Sequence, residues 1–159
     1  GPDATRFNML TSSADSHLDF DLELAKTQSS ENPVYYIQYA HARISSIVRE
    51  GQSRGVALET GKISSEILET LAHPAERALM KKLLELPDEV RESALNRTPH
   101  RMTQYAMRLA QLFHVFYHDC RVLSEDTRLT QARLALCAAT QTALKNVLGW
   151  LGVSAPKKM

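Results

Sequence analysis

Between Leu129 and Leu151 the chain is apolar around nearly the whole circumference of a helix. Leu129, Ala132, Leu136, Ala139, Ala143, Val147 and Trp150 recur at helical spacing, and Leu134, Ala135, Ala138, Leu144 and Leu148 fill the sides between them. A helix of this kind persists in water only where other helices surround it, so the chain must furnish them and a bundle is expected. Ser124-Glu125-Asp126-Thr127 supplies the turn and cap before it, and Gly152, with Pro156 beyond, supplies the stop.

The partners are present. Asn32-Pro33 pairs a capping residue with a proline that tolerates the first helical position, and predicts a helix of about five turns over Val34 to Arg49. Glu50 to Lys62, with Gly51, Gly55 and Gly61, breaks the pattern and reads as a connection. Ser64 to Leu71 follows, then Pro74 to Glu85, where Leu79, Met80, Leu83, Leu84 and Leu86 form an apolar stripe; after Pro87 the pattern resumes over Asp88 to Leu95. Thr98-Pro99 repeats the cap-plus-proline signal. It precedes the longest amphipathic stretch, with Met102, Tyr105, Ala106, Leu109, Leu112, Phe113, Phe116 and Tyr117 at spacings of three and four.

Residues 1–31 differ in character. Asp3 to Leu10 is helix-like, but Leu18-Asp19-Phe20-Asp21-Leu22 alternates as a short strand does, and a lone strand leaves its backbone polar groups unpaired. The expectation is therefore an all-α helical bundle over residues 32–159, with residues 1–31 a helix/strand annex that ends some other region. A chain of 159 residues has room for one core plus such an annex. No apolar run approaches the ~20 residues that cross a bilayer, and the chain does not open on a basic and then apolar leader, so neither spanning nor secretion is expected. Cys120 and Cys137 lack paired spacing and read as reduced interior thiols of a cytoplasmic protein.

The net charge of +1 hides a gradient: residues 1–32 sum to −4, residues 33–97 to zero and residues 98–159 to +5. Screening over roughly 8–10 Å lets such a basic third act as a local anion-binding surface or simply as a solvated face. No glycine-rich phosphate loop or nucleophile elbow is present. His114 and His118 stand four apart, but two imidazoles without a third ligand read as ordinary histidines, and no metal is expected. Asp19 and Asp21 share a side of the predicted strand with no partner in view, and read as solvated carboxylates. The richer pattern is aromatic with basic. Tyr36, Tyr39 and Arg43 share one helix face with Arg49 beyond, and Phe113, Tyr117 and Arg121 share another. Rings beside guanidinium groups suit unstacked RNA bases, which lie on the ring while Arg reaches phosphate or a base edge; the same rings can equally pack the bundle.

Three runs resolve more. Ser16-His17-Leu18-Asp19-Phe20-Asp21, then Glu31-Asn32-Pro33-Val34-Tyr35-Tyr36-Ile37-Gln38-Tyr39-Ala40-His41-Ala42-Arg43, then Leu151 to Met159 closely resemble the C-terminal part of the arginyl-tRNA synthetase family, and Asp3-Ala4-Thr5-Arg6-Phe7 resembles the segment that follows its catalytic core. The resemblance spans the whole chain. It departs at Asn8, where an apolar residue is expected, and at Lys157-Lys158, where Glu-Arg is usual. It implies a DALR-type domain that binds the anticodon stem-loop of arginine tRNA. Tyr39, Arg43, Arg49, Tyr117 and Met159 match family positions, Tyr36 is added from the same face, and Phe113, Arg121, Lys157 and Lys158 complete the expected tRNA-binding set. The parent enzyme of that family joins arginine to tRNA with ATP through a His-x-Gly-His-type segment absent from this sequence. No catalytic residue or cofactor is therefore expected here, ATP belonging to the parent. The expected partners are arginine tRNA and the parent catalytic domain, with no membrane, no DNA and a monomeric state. The competing readings are a helical protein-binding adaptor and the anticodon module of another class I synthetase, such as the cysteine enzyme.

Overall fold

A computed structural model of the chain describes residues 1–13, 16, 21–56 and 63–159, and among these every regular element is a helix. The order is α1 (Pro2–Met9), α2 (Leu22–Lys26), α3 (Pro33–Ser53), α4 (Ser65–Leu68), α5 (Pro74–Leu84), α6 (Leu86–Asn96), α7 (His100–Asp119) and α8 (Thr127–Trp150). Helix α8 occupies the position its sequence demanded. It packs against α3, α7, α5 and α4, while α3 also packs on α7 and α1, and α5 and α6 lie on α7. Ala132, Leu134, Leu136, Cys137, Ala143, Leu144, Val147 and Leu148 are buried on several sides of α8. Its apolar circumference is nonetheless incomplete in burial: Ala139 and Trp150 are exposed, and so is Leu84 at the end of α5.

The helix limits show where tertiary packing overrides local signals. Gly51 does not end α3; the helix continues to Ser53 because Gly51 is buried against α8, where a Cβ would stand 3.0 Å from Leu134 Cδ1. The predicted connection therefore begins only after Ser53, and residues 57–62 lie outside the described residues. Asn32 occupies the cap position of α3 without capping it, and its Nδ2 instead donates to the Thr27 carbonyl at 2.9 Å. Thr98 likewise does not cap α7. Arg97 adopts a left-handed conformation (φ 54°), and the Thr98 N–H returns to the Ser93 carbonyl at 2.9 Å, so Thr98 closes α6. The expected strand is corrected in its described part: Asp21 caps α2, accepting from the N–H groups of Glu23 and Leu24 at 2.9 Å, and Leu22 opens that helix. Leu18 to Phe20, and with them Asp19, lie outside the described residues.

Two features tie the annex and the chain end to the bundle. Ala4 and Phe7 of α1 belong to the same apolar core as α3, α7 and α8. Gly152 ends α8 at φ 67°, with the Val153 N–H donating to the Leu148 carbonyl at 2.8 Å. The chain then turns back, with Val153 buried.

One buried ion pair stands inside the core. Glu76 is fully buried, accepts from the His73 N–H at 2.8 Å as part of a capping box, and accepts from Arg133 Nε at 2.6 Å. Cys120 and Cys137 are free and buried, and burial pushes the Cys137 thiol up to about 12, which keeps it protonated.

The two helical glycines make opposite predictions. Gly51→Val forces branched methyls into the α3–α8 contact and is expected to destabilise the chain by about 1–3 kcal/mol. Gly149→Ala, where no atom lies within 4 Å of the added Cβ, is expected to stabilise it by about 0.5–1 kcal/mol through helix propensity. Urea unfolding followed by circular dichroism checks both signs.

Candidate functional site

Helix α3 presents three stripes. Ile37, Ala40, Ile44 and Ile47 are buried in the core. Gln38, His41 and Ser45, one residue along from that stripe, are also buried but polar. Tyr39, Arg43, Ser46 and Arg49 fall on the outer side, and with Ala42 they line a groove of about 400 Å³ that Lys158 and Met159 close from the chain end. Among the described residues, no acidic side chain lines it.

Arg43 is the centre of this face. Its guanidinium carbon lies 5.2 Å from the ring centroid of Tyr39 and 5.3 Å from that of Tyr117 on α7, and its Nη2 donates to the Tyr39 hydroxyl. Cation–π contact on two sides orients the charge without neutralising it. Among the described residues, Arg43, Arg49, Arg121, Lys157 and Lys158 have no carboxylate partner within ion-pair distance. Arg49 is held only by its Nη2 donating to Ser46 Oγ at 2.9 Å. Both tyrosines reach solvent, Tyr39 with 36% and Tyr117 with 38% of their surface.

Behind the tyrosines stands His114 of α7. Its ring lies 4.5 Å from that of Tyr36, 5.9 Å from Tyr39 and 5.6 Å from Phe113. Its Nε2 is buried without a hydrogen-bond partner among the described residues. Burial first, and the Arg43 charge with it, hold its pKa below the ordinary histidine range, against a hydrogen bond that the ring donates to the Tyr36 backbone and that raises it. His118 is turned away, mostly exposed, with Nδ1 2.8 Å from Asp119 Oδ1. The described residues include no cluster of three His, Cys, Asp or Glu side chains placed to hold a metal.

The expected set is thus divided by the fold. Tyr39, Arg43, Arg49, Lys158 and Met159 meet at one groove, and Tyr117 joins them through Arg43. Tyr117 and Arg121 also line a neighbouring hollow of about 380 Å³, with Glu50, Arg54 and His118 in its walls. Tyr36 lines a smaller hollow with Ser30, Tyr35 and Tyr39, and burial raises its hydroxyl pKa. Lys157 is exposed outside the groove lining. Phe113 is corrected: it is fully buried, so it offers no face to a ligand and instead supports Tyr117, its ring stacked 6.1 Å beneath.

Sequence reasoning missed the residues that hold the chain end in place. Gln38 Nε2 donates to the Ser154 carbonyl at 3.0 Å and to Asp3 Oδ2 at 2.8 Å, and His41 Nδ1 lies 2.8 Å from the Pro156 carbonyl, to which it donates. Their only sequence signal is that two polar residues stand three apart at the edge of an apolar stripe. Ala42 and Ser46 were also missed. They are the small residues between Tyr39 and Arg49 on the same stripe, and their size makes the groove.

A sequence model of the family described as DALR anticodon binding domain matches residues 37–159. The chain is 52% identical over its whole length to the arginine–tRNA ligase of Heliobacterium modesticaldum, of which it spans 29%, and 50% identical to that of Moorella thermoacetica, of which it spans 28%. It thus covers under a third of the length of these relatives. Its fold superposes on arginyl-tRNA synthetase from Thermus thermophilus with a TM-score of 0.79 at 32% identity, covering 99% of this chain and 26% of that one. For the Plasmodium falciparum enzyme the TM-score is 0.84 at 27% identity, with coverage of 99% and 26%.

The two buried imidazoles predict a pH dependence. Burial, with Lys145 and Lys157 adding to it, lowers the His41 pKa against the favourable Pro156 carbonyl, and His114 is lowered as described. Both therefore bind a proton less readily folded than unfolded. Above the ordinary value near 6.5 neither state is protonated, and stability is unaffected; below it the unfolded chain gains protons first, so stability falls until the folded values are passed. The melting temperature is expected to drop between pH 7.5 and pH 5.5, and His114→Phe is expected to flatten that slope.

Proposed function

The chain belongs to the DALR anticodon-binding domain family, and on that premise we propose that it is the tRNA-reading part of an arginine–tRNA ligase, binding the anticodon stem-loop of arginine tRNA. The observation that carries the reading is Arg43 in contact with the rings of Tyr39 and Tyr117 beside a groove lined by Arg49, Lys158 and Met159 and, among the described residues, by no acidic side chain.

The chemistry of that groove matches an unpaired RNA base on its backbone. Arg49 and Lys158 attract phosphate at the groove, and Arg121 and Lys157 extend the positive surface beside it. The solvent-exposed parts of the Tyr39 and Tyr117 rings offer aromatic surface for a base, and the Arg43 guanidinium presents planar donors to a base edge or phosphate. A groove of about 400 Å³ is within the range of sites that enclose a small ligand. The names of the relatives favour arginine over the amino acid of another class I ligase, and favour RNA over the protein-adaptor alternative. In the intact enzyme this domain anchors the tRNA while the catalytic region, with ATP, charges its distant acceptor end. Residues 1–31 are the end of that preceding region, and Ala4, Phe7 and Ala25 within it pack into the core of the anticodon-binding domain of residues 32–159. A monomeric, cytoplasmic protein with neither DNA nor membrane as partner completes the proposal. No helix among the described residues is long and apolar enough to cross a membrane.

Two aromatic substitutions separate contact from support. Tyr117→Ala is expected to weaken stem-loop binding by about 1–3 kcal/mol with unchanged circular dichroism, because a stacking platform is lost. Phe113→Ala is expected to cost about 3–5 kcal/mol of folding stability, because a buried ring leaves a cavity. Arg49→Ala is expected to lower the salt slope of binding by about one unit. Fluorescence anisotropy with a labelled arginine-tRNA anticodon stem-loop, titrated at several salt concentrations and against a loop with its central anticodon base changed, checks the two binding predictions, and urea unfolding followed by circular dichroism checks Phe113→Ala. Saturable binding that is blind to the base change would reduce the function to electrostatic docking.

A further inference from the structure

The groove is closed by a chain end that does not hold itself. After Gly152 the chain has no regular structure, and its buried apolar anchor is Val153. An apolar contact sets the depth of a strand of chain but not its register, since neighbouring methyl groups bury equally well. Directional bonds set the register here, and they come from two other elements. The Asp3 carboxylate of α1 accepts from the Ser154 N–H at 3.3 Å, from the Ser154 hydroxyl and from Gln38 Nε2 at 2.8 Å. Gln38 of α3 also donates to the Ser154 carbonyl at 3.0 Å.

We infer that Asp3, Gln38 and Ser154 are positioning residues for RNA recognition: their clamp fixes the path of the chain end and thereby sets the base preference of the groove that Lys158 and Met159 close. This rests on the reading of that groove as an RNA site. Asp3 lies outside the segment matched by the family model, which begins at residue 37, so the clamp makes α1 part of the site. The two contributions to binding divide cleanly. Arg43 and Arg49 stand on α3, and their attraction for phosphate is independent of the chain end. The wall formed by Met159 is displaced when the clamp opens, and a base edge in the groove then meets a different surface. Loss of the clamp therefore removes discrimination between bases while leaving the salt-dependent part of affinity in place.

The experiment uses the whole 159-residue chain with methyl-labelled methionine, the Met159 resonance being assigned by its absence in Met159→Leu. Asp3→Ala and Gln38→Ala open the clamp from α1 and from α3, and Asp3→Asn keeps an acceptor. In the free protein, both alanine variants are expected to shift and sharpen the Met159 methyl signal, and Asp3→Asn to restore much of it. In anisotropy titrations the affinity ratio between the arginine loop and the loop with an altered central base is expected to fall about two- to tenfold in the alanine variants, the range expected for a lost hydrogen bond. The salt slope is expected to stay as in the parent chain. An unmoved Met159 signal, or a moved signal with undiminished discrimination, overturns the inference. A parent chain that binds neither loop overturns the RNA reading instead, and the Met159 signal then still decides separately whether the clamp holds the chain end.

Discussion

Helix α3 is pressed into α7 and α8 along one stripe and left wet along another, and the site exists because of that division. Ile37, Ala40, Ile44 and Ile47 are buried at spacings of three and four. Moving each by two residues gives Tyr39, Ala42, Ser46 and Arg49, which line the groove. Two residues of an α-helix turn by about 200°, so core and groove occupy nearly opposite sides of the same rod. The intermediate stripe of Gln38, His41 and Ser45 is buried without being apolar, because Ser154, Pro156 and Gln141 meet it with hydrogen bonds. A polar stripe flanking the core is tolerable only when so satisfied. The small residues matter as much as the large ones. Gly51 lets α8 approach, and Ala42 and Ser46 leave the groove open.

Arg43 shows how a charge is kept both ordered and available. An arginine paired with a carboxylate has its donors spent and its charge cancelled before a ligand arrives. Here the guanidinium is oriented by two rings, and the described residues offer it no carboxylate. Beneath Tyr117 lies Phe113, and beside Tyr39 lies His114, so the platforms themselves rest on packed rings. Rigid rings and a fixed cation lose little further freedom on binding. Burial and the Arg43 charge both disfavour a proton on His114, which suits its place beside that guanidinium.

The helical class, the central place of α8 and the convergence of Tyr39, Arg43, Arg49, Tyr117 and Met159 were legible in the sequence, the first two from periodicity and the convergence from family resemblance. What was illegible has specific physical causes. Glycine lowers helix propensity wherever it stands, and nothing local distinguishes a Gly51 that ends a helix from one that admits a neighbouring helix. Spacing of four places Phe113 and Tyr117 on one face but does not report depth, and depth assigns one to the core and the other to solvent. Thr98 and Asn32 carry the composition of caps, yet each is used by the preceding element, because the backbone there closes first. The clamp was out of reach for another reason. Gln38 and Ser154 are 116 residues apart and Asp3 and Ser154 are 151 apart, so only the folded chain brings them together.

On the proposed RNA reading, a recognition role for Met159 makes sense only with that clamp. Ordering a free chain costs about 1–2 kcal/mol per residue, a charge that falls on binding if the ligand must do the ordering. Arg6 Nη1 donates to the Gly152 carbonyl at 2.7 Å, Val153 is buried, and Ser154 and Pro156 are each held by hydrogen bonds. The stretch from Gly152 to Pro156 is therefore held directly by folding, and Lys157, Lys158 and Met159 extend from that anchor. Lys158 and Met159 line the groove together with Arg49, so on the proposed RNA reading they bound the space that a base would enter. A wall built into α3 itself would be in place earlier, but it would obstruct entry between Tyr39 and Arg49. A short end anchored up to Pro156 brings Lys158 and Met159 to the groove with a small ordering cost.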